Sequence, residues 1–269
     1  MAAVLLIVLI SVSLFLTIGK PSKQATSRPF YLGVEFAYGS QFSQVKSLVD
    51  AVKGYTNFFV IGSVVLTFNR TALDESCNYL NNSGLNFIVL ITSFPMYNNT
   101  NDYPGNDTVF DWMGNATQKY GNHLLGFYRY DEPGGNQIDK AKFQLVSNAS
   151  SYSDAANQYV YNLGGFINYY VAYGGRTDEP AAKIFTSDYG LYWFDYASGY
   201  STVFGEFVGN QSRQTTIALD RGAAESFGKP WGVIITWKYD QTPFLESNYS
   251  MYVDLAQAYS AGATCSFAR

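Results

Sequence analysis

The sequence predicts an α/β protein built as a (β/α)8 barrel. Short β-rich apolar runs alternate with helix-periodic stretches from Tyr31 to the last residue. The roughly 240 residues that follow an apolar leader are about one barrel's length. Apolar residues make up 47% of the chain and charged residues only 14%, so a large core can form with little surface charge. Strict alternation favours a barrel over a doubly wound sheet, and an open eight-stranded α/β sheet is the alternative.

The elements follow in order. Tyr31 to Phe36 reads as a strand, then Phe42 to Lys53 as a helix with Val45, Leu48, Val49 and Val52 on its apolar face. The second strand is Asn57 to Ile61, and its helix runs from Thr71 to Leu80, stopped by Asn82-Ser83-Gly84. Asn86 to Thr92 is the third strand; a Pro/Asn/Gly-rich loop separates it from a helix over Val109 to Tyr120. Leu124 to Tyr130 is the fourth strand, followed by a polar insertion and a helix from Tyr152 to Tyr173. The fifth pair is Lys183 to Thr186 and Leu191 to Tyr196; the sixth is Thr202 to Phe207 and Gln211 to Phe227. Trp231 to Trp237, Tyr249 to Ser260 and Ala263 to Phe267 complete eight strands and seven helices. A closing eighth helix is absent from the pattern, which implies a fragment or another cover for that side.

Three units follow: a signal peptide or membrane anchor over residues 1–19, a polar linker over 20–29, and the barrel over 30–269. The run Ala2 to Ile18 is uncharged and nearly all apolar, at the short end of what spans a bilayer. No basic residue precedes it and no Ala-x-Ala site follows, which favours an uncleaved anchor over a cleaved signal. Asn-x-Ser/Thr occurs eight times, at Asn69, Asn81, Asn98, Asn106, Asn115, Asn148, Asn210 and Asn248. About three would arise by chance at this composition, so the excess predicts an extracellular or cell-surface glycoprotein carrying N-glycans. Cys77 and Cys265 are read as buried free thiols, in a helix and an inner strand.

Much chemistry is excluded by composition. His123 is the only histidine and precedes the fourth strand, at the N-terminal face, opposite to where barrel active sites lie. Ser-His-Asp and Cys-His catalysis are therefore excluded, as is a His- or Cys-ligated metal. No glycine-rich phosphate loop opens a helix, so no nucleotide cofactor is expected and none of another kind is implied. The net charge of −4 gives no reason to expect a nucleic acid partner.

Carboxylates and aromatic rings remain at the strand ends facing the site. Glu35 ends strand one, Asp131 and Glu132 end strand four, Asp188 follows strand five and Glu206 ends strand six. Tyr38, Phe94, Tyr97, Tyr130, Tyr189, Trp193, Trp237 and Tyr239 lie at the same ends or loops. Carboxylates supply acid/base or nucleophilic groups and flat rings stack on pyranoses, so carbohydrate is the expected substrate. Each such ring or carboxylate could equally be a packing group or a cap. Lys238 reads as a solvated or ion-paired lysine.

The sharpest feature is Tyr130-Asp131-Glu132-Pro133-Gly134-Gly135. Asp178-Glu179-Pro180 repeats the tripeptide ahead of strand five, so position at a strand's C-terminal end gives the first copy its meaning. Glu-Pro at that place resembles the acid/base signature of the large barrel glycoside hydrolase clan, where Asn-Glu, often followed by Pro, ends strand four. The resemblance implies a general acid/base role for Glu132. Asp131 replaces the clan's Asn, and strand seven ends in Trp237 where the clan has a nucleophilic Glu. The Gly-Val-Glu-Phe start (Gly33 to Phe36) with Asp-Glu-Pro-Gly-Gly also resembles archaeal secreted proteins, which implies nothing about activity.

Two mechanisms fit. Glu132 can protonate the leaving oxygen while Glu206 or Glu35 acts as nucleophile or water-activating base. Alternatively the Asp131-Glu132 pair is similar to that of barrel N-acetylhexosaminidases, where Asp orients the acetamido group as internal nucleophile and Glu is the acid. Rival classes are a non-catalytic cell-envelope or surface-layer barrel and a carbohydrate-binding barrel. An enzyme requires two carboxyl groups about 5–10 Å apart, or an Asp131-Glu132 pair turned to one pocket. A scaffold requires Glu132 consumed in capping or ion pairs.

Overall fold

The computed structural model describes residues 29–91, 109–140, 144–173, 182–236 and 246–269. Eight parallel strands close into a barrel in sequence order: β1 (Tyr31–Phe36), β2 (Phe58–Ile61), β3 (Asn86–Leu90), β4 (Leu124–Tyr128), β5 (Ile184–Asp188), β6 (Thr202–Phe207), β7 (Trp231–Ile235) and β8 (Cys265–Ala268). The ring closes by parallel pairing of β8 with β1, Tyr31 opposite Cys265 and Val34 opposite Ala268. The open-sheet alternative is thereby excluded, and the fold is a (β/α)8 barrel.

Nine α-helices lie outside the strands among the described residues: α1 (Phe42–Val52), α2 (Val64–Thr67), α3 (Arg70–Asn82), α4 (Val109–Tyr120), α5 (Pro133–Ile138), α6 (Tyr152–Tyr173), α7 (Tyr192–Ala197), α8 (Arg213–Ser226) and α9 (Asn248–Ser260). Two of them, α2 and α5, lay inside stretches that periodicity marks as loop. Each is too short, at four and six residues, to show a helical repeat. Both follow a strand at the C-terminal face, where side-chain caps make them: the Ser63 hydroxyl accepts from the Leu66 amide at the start of α2. Strand β4 ends at Tyr128, two residues before the expected Tyr130, while β5 runs on to Asp188.

Period-2 alternation divides the strand residues between two cores. Phe58, Val60, Ile88, Leu90, Tyr128, Phe185, Phe204, Ile234, Cys265 and Phe267 fill the barrel interior. Aromatic rings dominate that filling, with Phe204 edge-on to Phe267 at 5.0 Å and stacked on Phe185 at 5.9 Å. Space for them comes from glycines: a Cβ on Gly33 would stand 2.2 Å from the Phe58 carbonyl oxygen, and one on Gly232 would stand 2.7 Å from the Phe204 ring. Outward residues such as Phe59, Val89, Phe127, Val203 and Val233 pack against the helices in a second core. Cys77 and Cys265 are both free and buried.

Among the described residues no helix is long and apolar enough to cross a membrane, and the apolar run Ala2 to Ile18 lies outside them. Of the eight acceptor asparagines, Asn69, Asn115, Asn148, Asn210 and Asn248 are exposed and Asn81 is partly so. Asn98 and Asn106 lie outside the described residues.

Candidate active site

The inward side chains at the C-terminal ends of the strands are polar where those deeper in are apolar. Glu35 of β1, Ser187 of β5, Glu206 of β6 and Arg269, which follows β8, join Tyr128 of β4 and Asp131 in one hydrogen-bonded chain. Arg269 Nε donates to Glu35 Oε2 at 2.7 Å, and its Nη2 donates to Asp131 Oδ1 at 3.3 Å. The Tyr128 hydroxyl also donates to Asp131 Oδ1 and accepts from the Ser187 amide at 3.2 Å. Ser187 Oγ donates to Glu206 Oε1 at 2.5 Å and stands 3.1 Å from Asp131 Oδ1. The Glu132 and Glu206 carboxyls are near enough to influence each other's protonation.

The loop that carries Asp131 and Glu132 is strained. Tyr130 and Glu132 both sit in the left-handed region, with φ of 59° and 52°. For residues with a Cβ that conformation costs about 1–2 kcal/mol each. Surrounding bonds hold it in place. Thr186 Oγ1 donates to the Tyr130 carbonyl at 2.6 Å and Tyr200 to the Arg129 carbonyl at 3.0 Å. The Glu132 amide donates to the Ser187 carbonyl at 3.0 Å. Asn136 Nδ2 donates to the carbonyls of Asp131 and Glu132 at 3.0 and 2.8 Å. Glu132 occupies the N-cap position of α5, yet its side chain makes no cap bond. The carboxyl is left for other use.

The capping duty falls to Asp188. It is fully buried, and its carboxyl accepts from the amides of Gly134 (2.5 Å), Gly135 (3.0 Å), Tyr189 (2.7 Å) and Gly190 (3.0 Å). This explains the two glycines after Pro133: a Cβ at Gly134 would come 2.6 Å from Asp188 Oδ2, and one at Gly135 would come 2.3 Å from the Tyr189 ring. Gly62 serves the same site, since a Cβ there would overlap Glu35 Oε1 at 1.8 Å.

Burial governs the electrostatics. It pushes the Glu132 carboxyl above the ordinary range, and the neighbouring Asp131 carboxyl adds to that. Glu206 is pushed well above its ordinary value by burial and then by Glu132 and Asp131. Burial also raises Glu35, against the opposing pull of Arg269. Asp188 is pushed up to about 7 by burial, although its amide bonds oppose the shift. Behind it, Asp195 and Asp220 are fully buried and raised by burial, and Asp195 Oδ2 and Asp220 Oδ1 meet no partner among the described residues.

These shifts have one sign. A carboxyl whose folded pKa lies above its unfolded value, about 4, contributes most stability below pH 4 and loses that contribution as pH rises through the folded pKa. For Asp188 the loss runs between pH 4 and about 7. The protein is expected to melt at a higher temperature at pH 5 than at pH 8, measured by circular dichroism at fixed ionic strength. An unchanged or lower melting temperature at pH 5 would show that these carboxyls are ionised in the fold.

A cavity of about 390 Å³ opens beside this chain, lined by Glu35, Tyr38, Tyr128, Tyr130, Asp131 and Arg269 among others. Tyr38 is 71% exposed and stands at its edge. Glu35, Tyr38, Tyr130 and Asp131 thus line one cavity; Glu132 and Glu206 are not among its lining residues, but both feel the charge of Asp131. Asp188 faces the helix layer, where its carboxyl is consumed by amides. Tyr189 bonds Asp139 Oδ2 at 2.5 Å and packs over Gly135. Trp193 packs on Phe194 and Phe227 in the helical layer and is not among the residues lining the cavity. Phe94, Tyr97, Trp237 and Tyr239 lie outside the described residues, as do Lys238 and Asp178-Glu179-Pro180. Arg269, Tyr128 and Ser187 were not singled out in the sequence. Their inward places at strand ends are the signal that could have found them. Among the described residues no three His, Cys, Asp or Glu side chains are placed to hold a metal ion.

No family model matches the chain, and no curated protein matches it either. Solved structures do. The catalytic domain of the endo-β-1,4-mannanase from Bacillus sp. JAMB-750 is 12% identical over 91% of this chain and 78% of that one, with a TM-score of 0.55. The intracellular xylanase of Thermoanaerobacterium saccharolyticum JW/SL-YS485 is 12% identical over 90% and 86%, with a TM-score of 0.51. The likeness is one of fold. A HpcH/HpaI aldolase from Desulfitobacterium hafniense DCB-2 also matches, at 11% identity over 91% and 88% and a TM-score of 0.45. A shared fold at this identity does not fix an activity, which has to be argued from the site.

Proposed function

We propose that the protein is a glycosidase that uses Glu132 as general acid and Asp131 as its working partner. The observation that carries this reading is the strained Tyr130–Glu132 turn, which places two adjacent carboxyl-bearing residues just after β4 at the C-terminal end of the barrel, Asp131 lining the cavity, at a cost in backbone energy. Strain of that kind persists where the surroundings over-determine it, as Thr186, Tyr200 and Asn136 do here.

The other two carboxyl groups fit the partner's role less well. Glu35 is bound to Arg269 and almost wholly buried. Glu206 is wholly buried, its Oε1 accepts from Ser187, and it is not among the residues lining the cavity. Asp131 is half-exposed, lines the cavity, and has Oδ1 fixed by Tyr128 and Arg269. Among the described residues Oδ2 accepts only a long bond, 3.4 Å, from Arg269 Nη1, so an N–H from substrate would share that oxygen with Arg269.

The chemistry follows the acetamido-assisted course. Glu132 gives its proton to the glycosidic oxygen as the C1–O bond breaks, and the substrate's own acetamido oxygen closes on C1 to form an oxazolinium ring. Asp131 accepts from the acetamido N–H and orients it. Water then adds to C1, the Glu132 carboxylate takes its proton, and the ring opens with overall retention. The mannanase and xylanase likenesses support a carbohydrate substrate by analogy of fold only. The exposed acceptor asparagines support an extracellular or cell-surface location with N-glycans, anchored through residues 1–19.

Paired nitrophenyl glycosides test the reading, each hexoside beside its 2-acetamido-2-deoxy counterpart. Hydrolysis confined to the acetamido members and lost in Asp131→Asn is the expected result. Equal hydrolysis of both members would return the nucleophile's role to another carboxylate, and hydrolysis of neither would favour a binding barrel.

A further inference from the structure

We infer that Tyr128 and Ser187 are positioning residues, the middle of a hydrogen-bond chain that runs one way from a neutral Glu206 to Asp131. The inference rests on the glycosidase reading for the role of Asp131, but not for its geometry. Three oxygen–oxygen contacts are short enough to need a proton each: Glu206 Oε1 to Ser187 Oγ at 2.5 Å, Ser187 Oγ to the Tyr128 hydroxyl at 2.7 Å, and that hydroxyl to Asp131 Oδ1. The approach of Ser187 Oγ to Asp131 Oδ1, at 3.1 Å, is long enough to go without one. Two hydroxyls bring two protons, so the third has to come from a carboxyl. With both carboxyls ionised, Ser187 donates to Glu206, and one of the other two contacts leaves bare lone pairs facing each other. A proton on Glu206 Oε1 removes that conflict: Glu206 then donates to Ser187, Ser187 to Tyr128 and Tyr128 to Asp131.

The surroundings place the proton at the Glu206 end. Glu206 is wholly buried, and its Oε2 meets no donor among the described residues. A charge there would exchange its water for one hydroxyl. Glu132 and Asp131 add negative charge near it, and Arg269, the cation that acts on it, is engaged by Glu35 and Asp131. Tyr128 and Tyr192 are also near, with phenols raised by burial and therefore neutral. Asp131 is the opposite case, half-exposed and paired with Arg269 at 3.3 Å. The Ser187 amide donates to the Tyr128 hydroxyl at 3.2 Å, which occupies a lone pair of that oxygen and turns its proton towards Asp131. Bonds in such a chain polarise one another, so the proton at its buried end strengthens the bond at Asp131 Oδ1. The Asp131 carboxyl is thereby held in the orientation from which it meets the acetamido N–H.

Infrared difference spectra of the full chain at neutral pH, with 13C at the glutamate side-chain carboxyls, read the head of the chain. Wild type minus Glu206→Gln should contain the C=O band of a neutral glutamic acid. Ser187→Ala removes that acid's acceptor, so the band should move to higher frequency. Tyr128→Phe leaves the bond between Glu206 and Ser187, so there the band should keep its place. Both variants should lower kcat/KM on acetamido glycosides about tenfold, roughly the worth of one hydrogen bond. A Glu206→Gln difference that holds only ionised carboxylate overturns the inference, whether or not the Ser187 variant folds. A band unmoved in Ser187→Ala overturns it too, as does unchanged turnover in both variants of an active enzyme. The expected bands in a chain that cleaves no glycoside uphold the hydrogen-bond chain and remove the glycosidase reading instead.

Discussion

Replacing Glu132 by glycine is expected to stabilise the barrel while abolishing turnover. The left-handed backbone at φ 52° costs a residue with a Cβ about 1–2 kcal/mol. Glycine escapes that cost, but its freer unfolded chain returns about 0.5–1 kcal/mol, which leaves a net gain of about 1 kcal/mol. Removing a carboxyl that burial and the Asp131 charge hold above its ordinary range adds to the gain. The Glu132→Gln variant keeps the Cβ and the strain, so it separates the terms: equally inactive, and less stabilised than the glycine variant. In both, kcat/KM on the best glycoside should fall by about 10²–10⁴, the usual contribution of a general acid. Urea midpoints and initial rates measure the two effects on the same samples. A glycine variant less stable than wild type would mean that the turn is not strained, and the argument from stored energy would go with it.

Loss of Asp188 is expected to give the largest fall in stability. Its carboxyl is the acceptor for four backbone amides, two of them in the first turn of α5. Alanine there leaves those donors facing a buried void, at about 1–3 kcal/mol for each one that water does not reach. The raised pKa shows that the carboxyl is itself held at a cost, which offsets part of this. A net loss of about 3 kcal/mol at pH 5 is the expected balance, with Asp188→Asn, which keeps one acceptor oxygen, losing about half as much. The Asp188→Ala difference should shrink at pH 8, where wild type has already lost the linked contribution. Turnover should fall too, because α5 fixes the residue before it, Glu132. Thermal and urea unfolding at the two pH values test this, and a loss below 1 kcal/mol would remove Asp188 as the support of the turn.

The alternation of apolar strands and periodic helices determined the barrel, because burial on two faces leaves its mark on every strand and every long helix. Tyr31–Phe36, Thr202–Phe207, Val109–Tyr120 and Tyr152–Tyr173 keep the bounds that pattern sets. Helices α2 and α5 left none, since a four- or six-residue helix is made by its caps and not by its period. Asp131 and Glu132 were visible through their place at a strand end. Their geometry was not, because a left-handed φ at tyrosine and glutamate contradicts local preference and exists only through bonds from β5, Tyr200 and Asn136. Asp188 and Glu206 look alike in the sequence, each at the end of a strand. One residue of register turns Asp188 outward to the helix amides and Glu206 inward to Ser187. Arg269 joins Glu35 across 234 residues and Asp131 across 138, a pairing that only closure of β8 on β1 creates. Composition and period thus determined the barrel and its acidic mouth by themselves. Which carboxyl caps a helix, which lies buried against Ser187 and which faces the cavity was decided by tertiary structure alone, because register and ring closure set the distances on which charge and hydrogen bonding depend.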